Sequence, residues 1–405
     1  MIKKATIQII ILVSLIQTFS YAQRPGASYC GPHTISQPII LNGVHDTTIS
    51  ELSIHNPNGN CISLSNCNNV TITKCNLGPS QGNGIDLYNC NNITITDCRM
   101  DSVATGVYAL HSHAISVKYI DVKNVIGPFP RGQMVQFDSV MGAGNQIDYN
   151  VLENISGQSY PEDAISVYMS HGSVLDPIEV IGNWIRGGGP STSGGGIMVG
   201  DNGGSCIYVS DNLLVNPGQY GIAISSGTYI QILNNKIYAK QQSFTNVGLY
   251  VWNQYTSACS SNTASGNQIN WTDHTGASNP YWDNGNCGTV NGWSTNSYDI
   301  TIDSTILPVN ILLNCNAASS NTIKDDIEKD IKIFPNPAQE NFIIETSLTG
   351  KENTILVYGI EGKELIHQQL TNNRTQIDIS SLTSGIYFIK FISGNTVQVK
   401  KLIKK

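Results

Sequence analysis

The chain has 405 residues and a formal net charge of −7, with 22 Lys and Arg against 29 Asp and Glu. Basic residues are sparse before position 320, and a protein that binds nucleic acid needs a basic surface to displace counterions. We therefore exclude nucleic acid as a partner. An acidic body also repels polyanionic sugars, so such a substrate would need a local Arg or Lys pocket or a bridging Ca²⁺.

Residues 1–22 have the pattern of a cleavable secretory signal. Lys3 and Lys4 precede the apolar run IQIIILVSLI, and the small residues Ser20 and Ala22 follow it. The apolar run is short for a transmembrane helix, which makes an uncleaved anchor the weaker alternative. We predict that residues 1–22 are removed and that the mature chain has no membrane span.

A repeat follows in the next part of the chain. The stretch CNNVTITKC at 67–75 returns as CNNITITDC at 90–98, an offset of 23 residues. Such a period is typical of solenoids. Val and Ile alternate with Thr in both copies and are bounded by Asn, which is the pattern of short β-strands and not of a helix.

A second alternating run follows each copy and continues down the chain for about eight coils, spaced by 22 to 32 residues. Every second side chain of a strand faces the same way, so one aliphatic residue from each coil should stack in an inward column. Parallel pairing between coils would also satisfy the backbone hydrogen bonds. The runs are CISLSN (61–66), GIDLYN (84–89), GVYALH (106–111), MVQFDS (134–139), AISVYM (164–169), GIMVGD (196–201), GIAISS (221–226) and GLYVWN (248–253). The predicted inward column is Ile62, Ile85, Val107, Val135, Ile165, Ile197, Ile222 and Leu249.

This arrangement resembles the right-handed parallel β-helix family, over roughly residues 30–310. The resemblance implies an all-β solenoid, which we assign to residues 23–318. Family members include polysaccharide lyases, pectin-type hydrolases, uronan epimerases, phage tailspikes and adhesins, so the fold does not select a function. The Asn runs at 68–69 and 91–92 should form turn ladders, because Asn tolerates the left-handed conformation of a tight corner.

The composition changes at SSNTIKDDIEKD, and we predict a linker at residues 319–328. The phrases IKIFPNPAQENFII, ILVYGIEGKEL and IDISSLTSGIYFIKF then lead to a terminal KKLIKK. They are similar to the type A C-terminal sorting domain of the type IX secretion system of Bacteroidota. The resemblance implies that residues 329–405 form a small β-sandwich that is recognised by the type IX machinery and removed on export. A generic β-sandwich that binds carbohydrate is the alternative. We expect a secreted or cell-surface monomer.

All ten cysteines lie between positions 30 and 315, in the part that we expect to be exported, where disulfides can form. The pairs Cys67/Cys90 and Cys75/Cys98 sit on adjacent coils, where they could be bridges or small apolar core residues. Cys259 and Cys287 bracket a polar region and are better placed to close a loop. No Cys or His spacing matches a zinc site, and we predict no metal site.

The middle coils carry long insertions, and loops on a rigid scaffold are where binding groups are usually found. Polar and charged residues there should share one face within two or three coils. A surface with ordinary ion pairs is the plain alternative. The candidate catalytic residues are Arg131, Asp138, Glu162, Asp163, Tyr168, His171 and Asp201, and the candidate substrate-binding residues are Gln136, Arg186, Tyr250 and Trp252.

Three functions fit these residues. A polysaccharide lyase acting on an acidic glycan would use Arg131 or Arg186 to bind the sugar carboxylate, with Tyr168 or His171 as acid or base. A glycoside hydrolase would use a pair of aspartates. A solenoid that binds glycans without catalysis is the third. We favour the lyase by a narrow margin, because lyases are frequent in the family. No cofactor is predicted beyond the Ca²⁺ that an acidic substrate would call for.

Overall fold

The computed structural model describes residues 24–315, 332–346, 353–358, 364–370, 372–393 and 396–405. The predicted signal at 1–22 and the linker at 319–328 lie outside the described residues. By its contacts the chain divides into two compact units between Asn314 and Cys315. Each unit is described separately below.

The first unit is a parallel β-solenoid with three strands per coil. One side, the front sheet, is made of Ile39–Asn42, Ile62–Ser65, Ile85–Tyr88, Val107–Leu110, Val135–Asp138, Ile165–His171, Ile197–Ser210, Tyr220–Ile224, Val247–Val251 and Tyr281–Asp283. The side sheet is made of His45–Ser50, Asn68–Thr73, Asn91–Thr96, His113–Lys118, Gln146–Asp148, Ile178–Ile181, Gly227–Leu233, Cys259–Ser260 and Thr263–Ser265, and it shares the long strand Ile197–Ser210 with the front sheet.

The back sheet contains the third strand of each coil. Its strands are Thr34–Ser36, Leu52–Asn56, Asn76–Ser80, Arg99–Val103, Asp121–Val125, Val151–Glu153, Trp184–Arg186, Leu213–Val215, Lys236–Ala239, Gln268–Trp271 and Ser297–Tyr298. Within residues 24–315 the helical elements are two single 3₁₀ turns, Trp293–Thr295 and Ser304–Ile306.

The front sheet confirms the predicted fold and register. Its parallel pairing places Ile62 opposite Ile85, and Ile165 opposite Ile197. All eight residues of the predicted inward column are fully buried. The described residues add one front strand before the eight predicted ones and one after them. Alternation of apolar and polar residues thus fixes which face of each strand enters the core.

The corners of the solenoid are built from residues in left-handed backbone conformation. Asn69 and Asn92 both have φ of 54°, and Asn92 Nδ2 donates to Asn69 Oδ1 at 3.0 Å. Asn89 and Asn66 are linked in the same way at 2.7 Å. The predicted turn ladders are therefore confirmed: amide side chains stack from coil to coil where the chain must turn.

A buried asparagine ladder joins the side and back sheets. From Asn183 onward, each side chain accepts from the backbone N–H and the side-chain amide of the asparagine in the previous coil, and it donates to a carbonyl in the side-sheet strand of that coil. For example, Asn212 Oδ1 accepts from Asn183 N and Asn183 Nδ2, both at 2.9 Å, while Asn212 Nδ2 donates to Val180 O at 2.8 Å. The ladder is made of Asn150, Asn183, Asn212, Asn235, Asn267 and Asn296.

Replacing Asn212 with Ala should lower the free energy of unfolding by about 2–3 kcal/mol, because the Asn183 N–H and the Val180 carbonyl are left buried without partners. Chemical denaturation of the purified protein would measure this. Asn91→Ala is the matched control, because Asn91 is exposed and also belongs to an amide ladder. Equal effects of the two substitutions would contradict the assignment of the buried ladder as a stabilising element.

The cysteine ladders are not disulfides. Cys67, Cys75, Cys90 and Cys98 are free thiols that are almost fully buried. Their sulfurs face backbone carbonyls of neighbouring turns, as Cys90 Sγ does toward Leu64 O at 3.4 Å. They act as small apolar residues of the core. The Cys259–Cys287 disulfide is confirmed, and Cys30 and Cys315 are also disulfide-bonded.

The second unit has two antiparallel sheets around its own apolar core. One contains Lys332–Phe334, Asn341–Glu345 and Arg374–Asp378, and the other contains Glu364–Leu370, Asn353–Tyr358, Gly385–Ser393 and Thr396–Lys404. Buried residues from both sheets, among them Phe342, Ile355 and Leu402, pack in one cluster. This is the small β-sandwich that the C-terminal phrases predict.

Candidate active site

A cleft of about 490 Å³ opens on the front sheet over the enlarged coils. It brings together six of the seven candidate catalytic residues and one candidate binding residue. Its lining includes Arg131, Gln136, Asp138, Glu162, Asp163, Tyr168 and Asp201, and it adds Phe129, Gln133, Ser166, Ser193, Met198, Gln254 and Tyr255.

Asp138, Tyr168 and Asp201 form one column across three successive coils. Asp138 pairs with Tyr168 and Tyr168 pairs with Asp201 in parallel register. The second pairing skips Gly200, which forms a β-bulge with φ of 67°. A Cβ atom on Gly200 would lie 1.9 Å from Ser226 O, so only glycine fits there. The bulge moves Asp201 into the position that regular register would give to residue 200.

Asp201 is held by hydroxyl groups from later coils. Tyr255 Oη donates to Asp201 Oδ1 at 2.6 Å, and Ser225 Oγ donates to it at 3.4 Å. Burial raises the pKa of Asp201, the two hydroxyls lower it, and the charge of Asp138 raises it further. The net upward shift favours a carboxyl group that keeps its proton to higher pH than an exposed aspartate does.

Asp138 lies at the other end of the column. Tyr108 Oη donates to Asp138 Oδ2 at 2.9 Å, and Ser139 Oγ donates to Asp138 Oδ1 at 3.0 Å. Burial raises the pKa of Tyr108 to about 12, and the bond to Asp138 adds to that shift. The phenol therefore stays protonated at neutral pH and remains a donor that fixes the carboxylate.

Arg131 is the single cation among the residues that line the cleft. Its guanidinium lies over the ring of Tyr108, with Cζ 3.7 Å from the ring centroid. Arg131 Nη1 donates to Gln136 Oε1. Stacking and hydrogen bonding thus hold Arg131 in place beside the front sheet.

Asp163 is buried at the base of the cleft, with 8% of its surface exposed. Its Oδ1 accepts from the Tyr220 hydroxyl and from Gly195 N, the latter at 3.1 Å. Burial is the main reason why the pKa of Asp163 is raised to about 7, and the neighbouring charge of Glu162 contributes. At neutral pH this carboxyl group therefore exchanges a proton readily.

Glu162 is bound by the hydroxyls of Ser191, at 2.6 Å, and of Ser193. Glu162 and Asp163 thus accept from hydroxyl and amide donors, instead of gathering oxygen ligands around a cation. In the described residues no group of three or more His, Cys, Asp or Glu is placed to hold a metal ion.

Four candidate residues lie outside the cleft lining. Arg186 is on the back sheet, where it pairs with Glu153 at 3.1 Å and donates to Val309 O at 2.8 Å. The sequence places it near the insertion of its coil, but that insertion starts on the back sheet. His171 lies beyond Met169, whose φ of 48° turns the chain toward the side sheet. The predictions that Arg186 and His171 share the cleft are wrong.

The two aromatic candidates lie next to the cleft and not within it. The Tyr250 ring is buried, edge-on to Tyr220 at 5.3 Å between centroids. Trp252 is partly exposed and packs edge-on against Trp282 at 5.5 Å. Tyr250 thus supports the floor of the cleft, and Trp252 extends the front face toward the last coils.

Sequence reasoning missed several residues that hold the carboxylates. Tyr255, Ser191 and Ser193 sit in loops that reach across coils, and their positions follow from loop conformation that no repeat pattern encodes. Tyr220 lies two residues before the inward residue Ile222. Asp163 lies two residues before the inward residue of its own coil, so the two residues occupy equivalent positions two coils apart. Extending the predicted strand register by two residues toward the N-terminus of each strand would have placed Tyr220 and Asp163 in the same column.

Two family models match the chain. Residues 38–202 match the right handed beta helix region, and residues 332–405 match the secretion system C-terminal sorting domain. The chain is a right-handed β-helix protein with a type IX sorting domain. This β-helix protein is therefore addressed by type IX secretion to the cell surface or outside the cell. Among the described residues no helix is long and apolar enough to cross a membrane. No curated protein matches the chain in sequence.

Solved structures share the fold with this β-helix protein at low identity. The catalytic domain of GH87 alpha-1,3-glucanase in complex with nigerose is 12% identical, with TM-score 0.34 over 66% of this chain and 64% of that chain. The A-module of the mannuronan C-5 epimerase AlgE4 from Azotobacter vinelandii is 12% identical, with TM-score 0.28 over 66% of this chain and 86% of that chain. The tailspike protein gp49 from Acinetobacter baumannii bacteriophage Fri1, a capsular polysaccharide depolymerase, is 12% identical, with TM-score 0.30 over 88% of this chain and 60% of that chain. The β-helix protein thus spans less than two thirds of the glucanase domain and of the tailspike, and similarity at this level carries no functional argument.

The sorting unit makes a direct prediction about export. Deleting residues 401–405 removes Leu402 from the core of the sandwich and removes the part of the last strand that pairs with residues 385–388. We expect the truncated protein to remain in the periplasm of a type IX-competent host, as followed by immunoblotting of cell fractions. Leu402→Met is the control, because it keeps an apolar side chain in the core. Undiminished release of the truncated protein would contradict this role of the C-terminal strand.

Proposed function

We propose that the protein is a glycoside hydrolase that cleaves a neutral polysaccharide in the front-sheet cleft. Asp138 and Asp201 would be its working carboxylates. The observation that carries the proposal is the column Asp138, Tyr168, Asp201, in which two carboxyl groups flank one aromatic side chain. In this proposal the chemistry lies within residues 23–318, after removal of residues 1–22 and 329–405.

The charges of the cleft favour a neutral substrate. Four carboxyl groups line it, and the only cation there is Arg131, which is already engaged by Tyr108 and Gln136. A uronan would bring further negative charge into this cleft without a free cation to neutralise it. Since Arg186 lies on the back sheet, Arg131 is the one of the two arginines considered for the lyase that lines the cleft. These points support hydrolysis over elimination.

The spacing supports an inverting reaction. Two coils separate the backbones of Asp138 and Asp201 by about 10 Å at the strand spacing of a sheet. Inverting glycosidases need carboxyl groups roughly 6.5–9.5 Å apart, so that a water molecule fits on the far side of the sugar. A separation of about 10 Å is close to the upper end of that range and about twice the 5–5.5 Å of a retaining pair.

The environments of the two residues assign their roles. Asp201, whose pKa is raised by burial, is the general acid that protonates the leaving oxygen. Asp138, held by Tyr108 and Ser139, is the base that removes a proton from the attacking water. The water adds to the anomeric carbon as the glycosidic bond breaks. Asp163 lies at the base of the cleft, and we propose that the protonation state of this buried carboxyl group determines the net charge of the cleft.

One experiment tests the proposal against its alternatives. The purified full chain is incubated with a panel of soluble neutral glycans and uronans, with and without Ca²⁺, and the products are followed by two assays. New reducing ends without a rise in ultraviolet absorbance support hydrolysis. A rise in absorbance marks the unsaturated product of elimination and would establish the lyase. Binding of a glycan to the protein without any product would establish a binding solenoid. Either of the last two results overturns the proposal.

A further inference from the structure

A second cavity, of about 650 Å³, lies at the corner between the side and back sheets. The corner belongs to the coils whose front strands are Ile85–Tyr88, Val107–Leu110 and Val135–Asp138, and only the last of these strands also lines the cleft. Its lining includes Arg24, Ser28, Thr96, Asp97, Tyr119 and Tyr149. The volume is in the range of sites that enclose a small organic ligand.

Two exposed tyrosines form a flat stack beside this cavity. The rings of Tyr119 and Tyr149 are 5.5 Å apart between centroids, with 9° between their planes. They are 45% and 40% exposed. The equivalent residue of the next coil is Gly182, where a Cβ atom would lie 2.7 Å from the Tyr149 ring. Glycine therefore leaves room for that ring, and the stack continues on the other side toward Asp97 and the cavity.

The backbone at both tyrosines is unfavourable for an aromatic residue. Tyr119 and Tyr149 have φ of 54° and 56°. At the same corner in other coils the residues are Glu51, Lys74, Asp97, Gly182, Asp211, Asn234 and Gly266. These are mostly the types that tolerate left-handed backbone, whereas bulky side chains there are rare. Two adjacent tyrosines are therefore a departure from the residue types that the other coils place at this corner.

Both charged residues of the cavity lining, Arg24 and Asp97, are held by hydrogen bonds. Arg24 Nη1 donates to Asp121 Oδ1 at 2.9 Å and to Ile311 O at 2.9 Å. Asp97 Oδ1 accepts from the backbone N–H of Tyr29 at 2.9 Å and from that of Ser28. Among the described residues neither the Tyr119 nor the Tyr149 hydroxyl has a hydrogen-bond partner. The cavity thus offers an apolar aromatic surface, two free hydroxyls and a carboxylate that is held by backbone N–H groups.

From this combination we propose that the cavity is a second carbohydrate-binding site, separate from the cleft. Its ligand is a neutral pyranose, which stacks its apolar face on the outer face of the tyrosine pair, on the Tyr119 side that faces Asp97, and bonds the hydroxyls through its own. An anionic ligand is disfavoured because Asp97 contributes a negative charge to the lining and Arg24 is already paired with Asp121. The site would hold a polysaccharide on the protein surface whatever reaction the cleft performs, so the two proposals can fail independently.

The test is affinity electrophoresis of the purified full chain in gels that contain soluble neutral polysaccharides, namely starch, dextran, laminarin, xyloglucan and galactomannan. Asp138→Asn is present throughout so that the cleft does not degrade the gel. We expect at least one polysaccharide to retard the protein, and the double substitution Tyr119→Asn with Tyr149→Asn to weaken that binding about tenfold or more. Asn suits the left-handed backbone, so the variant should fold.

Tyr229→Asn is the matched control. Tyr229 is 59% exposed and also has a left-handed backbone, with φ of 56°, but it does not line the cavity. Its substitution should leave retardation unchanged. The proposal is overturned if no polysaccharide retards the protein, or if the double variant is retarded as strongly as its parent. It is also overturned if the control weakens binding equally. Loss of retardation in the double variant alone, with an unchanged melting temperature, supports a binding role over a merely structural stack.

Discussion

Asp138→Asn and Asp201→Asn should each lower the rate of glycan hydrolysis by about 10³-fold. An amide can neither release a proton to the leaving oxygen nor accept one from water, and proton transfer by a positioned side chain contributes roughly 10²–10⁴-fold. Both amides can still accept hydrogen bonds from Tyr108 and Tyr255, so the cleft should keep its shape. The rate of appearance of reducing ends measures the effect.

Asp101→Asn is the matched control for these variants. Asp101 is a partly exposed carboxylate on the back sheet, 3.5 Å from Lys123, and does not line the cleft. Its substitution should leave the rate unchanged. If Asp138→Asn and Asp201→Asn both remain folded and fully active, the working carboxylates lie elsewhere. If only one of them loses activity, the proposed division into acid and base is wrong.

The fold follows from the sequence because its information is local and repeated. A period of two along each strand, and one of 22 to 32 residues between coils, determines which residues face inward. The prediction of the inward column from Ile62 to Leu249 needed no long-range information beyond that period. The sorting unit was recognisable from its sequence segments, because short strand and turn sequences occur in the same order as in the type A C-terminal sorting domain.

The candidate site could be predicted only as far as the register holds. Asp138 and Tyr168 occupy successive positions in regular coils, and their proximity follows directly from the pairing. Asp201 reaches the same column through the bulge at Gly200, which the alternation pattern alone does not specify. Tyr255, which positions Asp201, comes from a loop two coils further along. Arg186 and His171 were misplaced because the corners beside them redirect the chain to other faces.

The stability of the protein should fall as the pH rises from about 4 to 7, and Asp163 should account for a large part of the fall. Burial raises the pKa of Asp163 in the folded protein from 3.8 to about 7. Between these values the folded state holds a proton that the unfolded state has released, so rising pH favours unfolding. Below pH 4 both states are protonated and the effect is absent. Above pH 7 both are ionised, and the shift of about three units corresponds to roughly 4 kcal/mol of lost stability.

Asp163→Asn isolates this contribution, because the amide cannot ionise and its oxygen can still accept from Tyr220 and from Gly195 N. The free energy of unfolding of the variant, relative to that of the parent, should rise by up to about 4 kcal/mol between pH 4 and pH 8. Chemical denaturation at a series of pH values measures it. Any pH-independent cost of the substitution cancels in this comparison. The contributions of Asp121 and Asp148, whose pKa values are also raised by burial, cancel as well because both residues are present in both proteins. A difference that stays constant with pH would show that Asp163 is already ionised in the folded protein, and the buried proton assigned to the base of the cleft would have to be withdrawn.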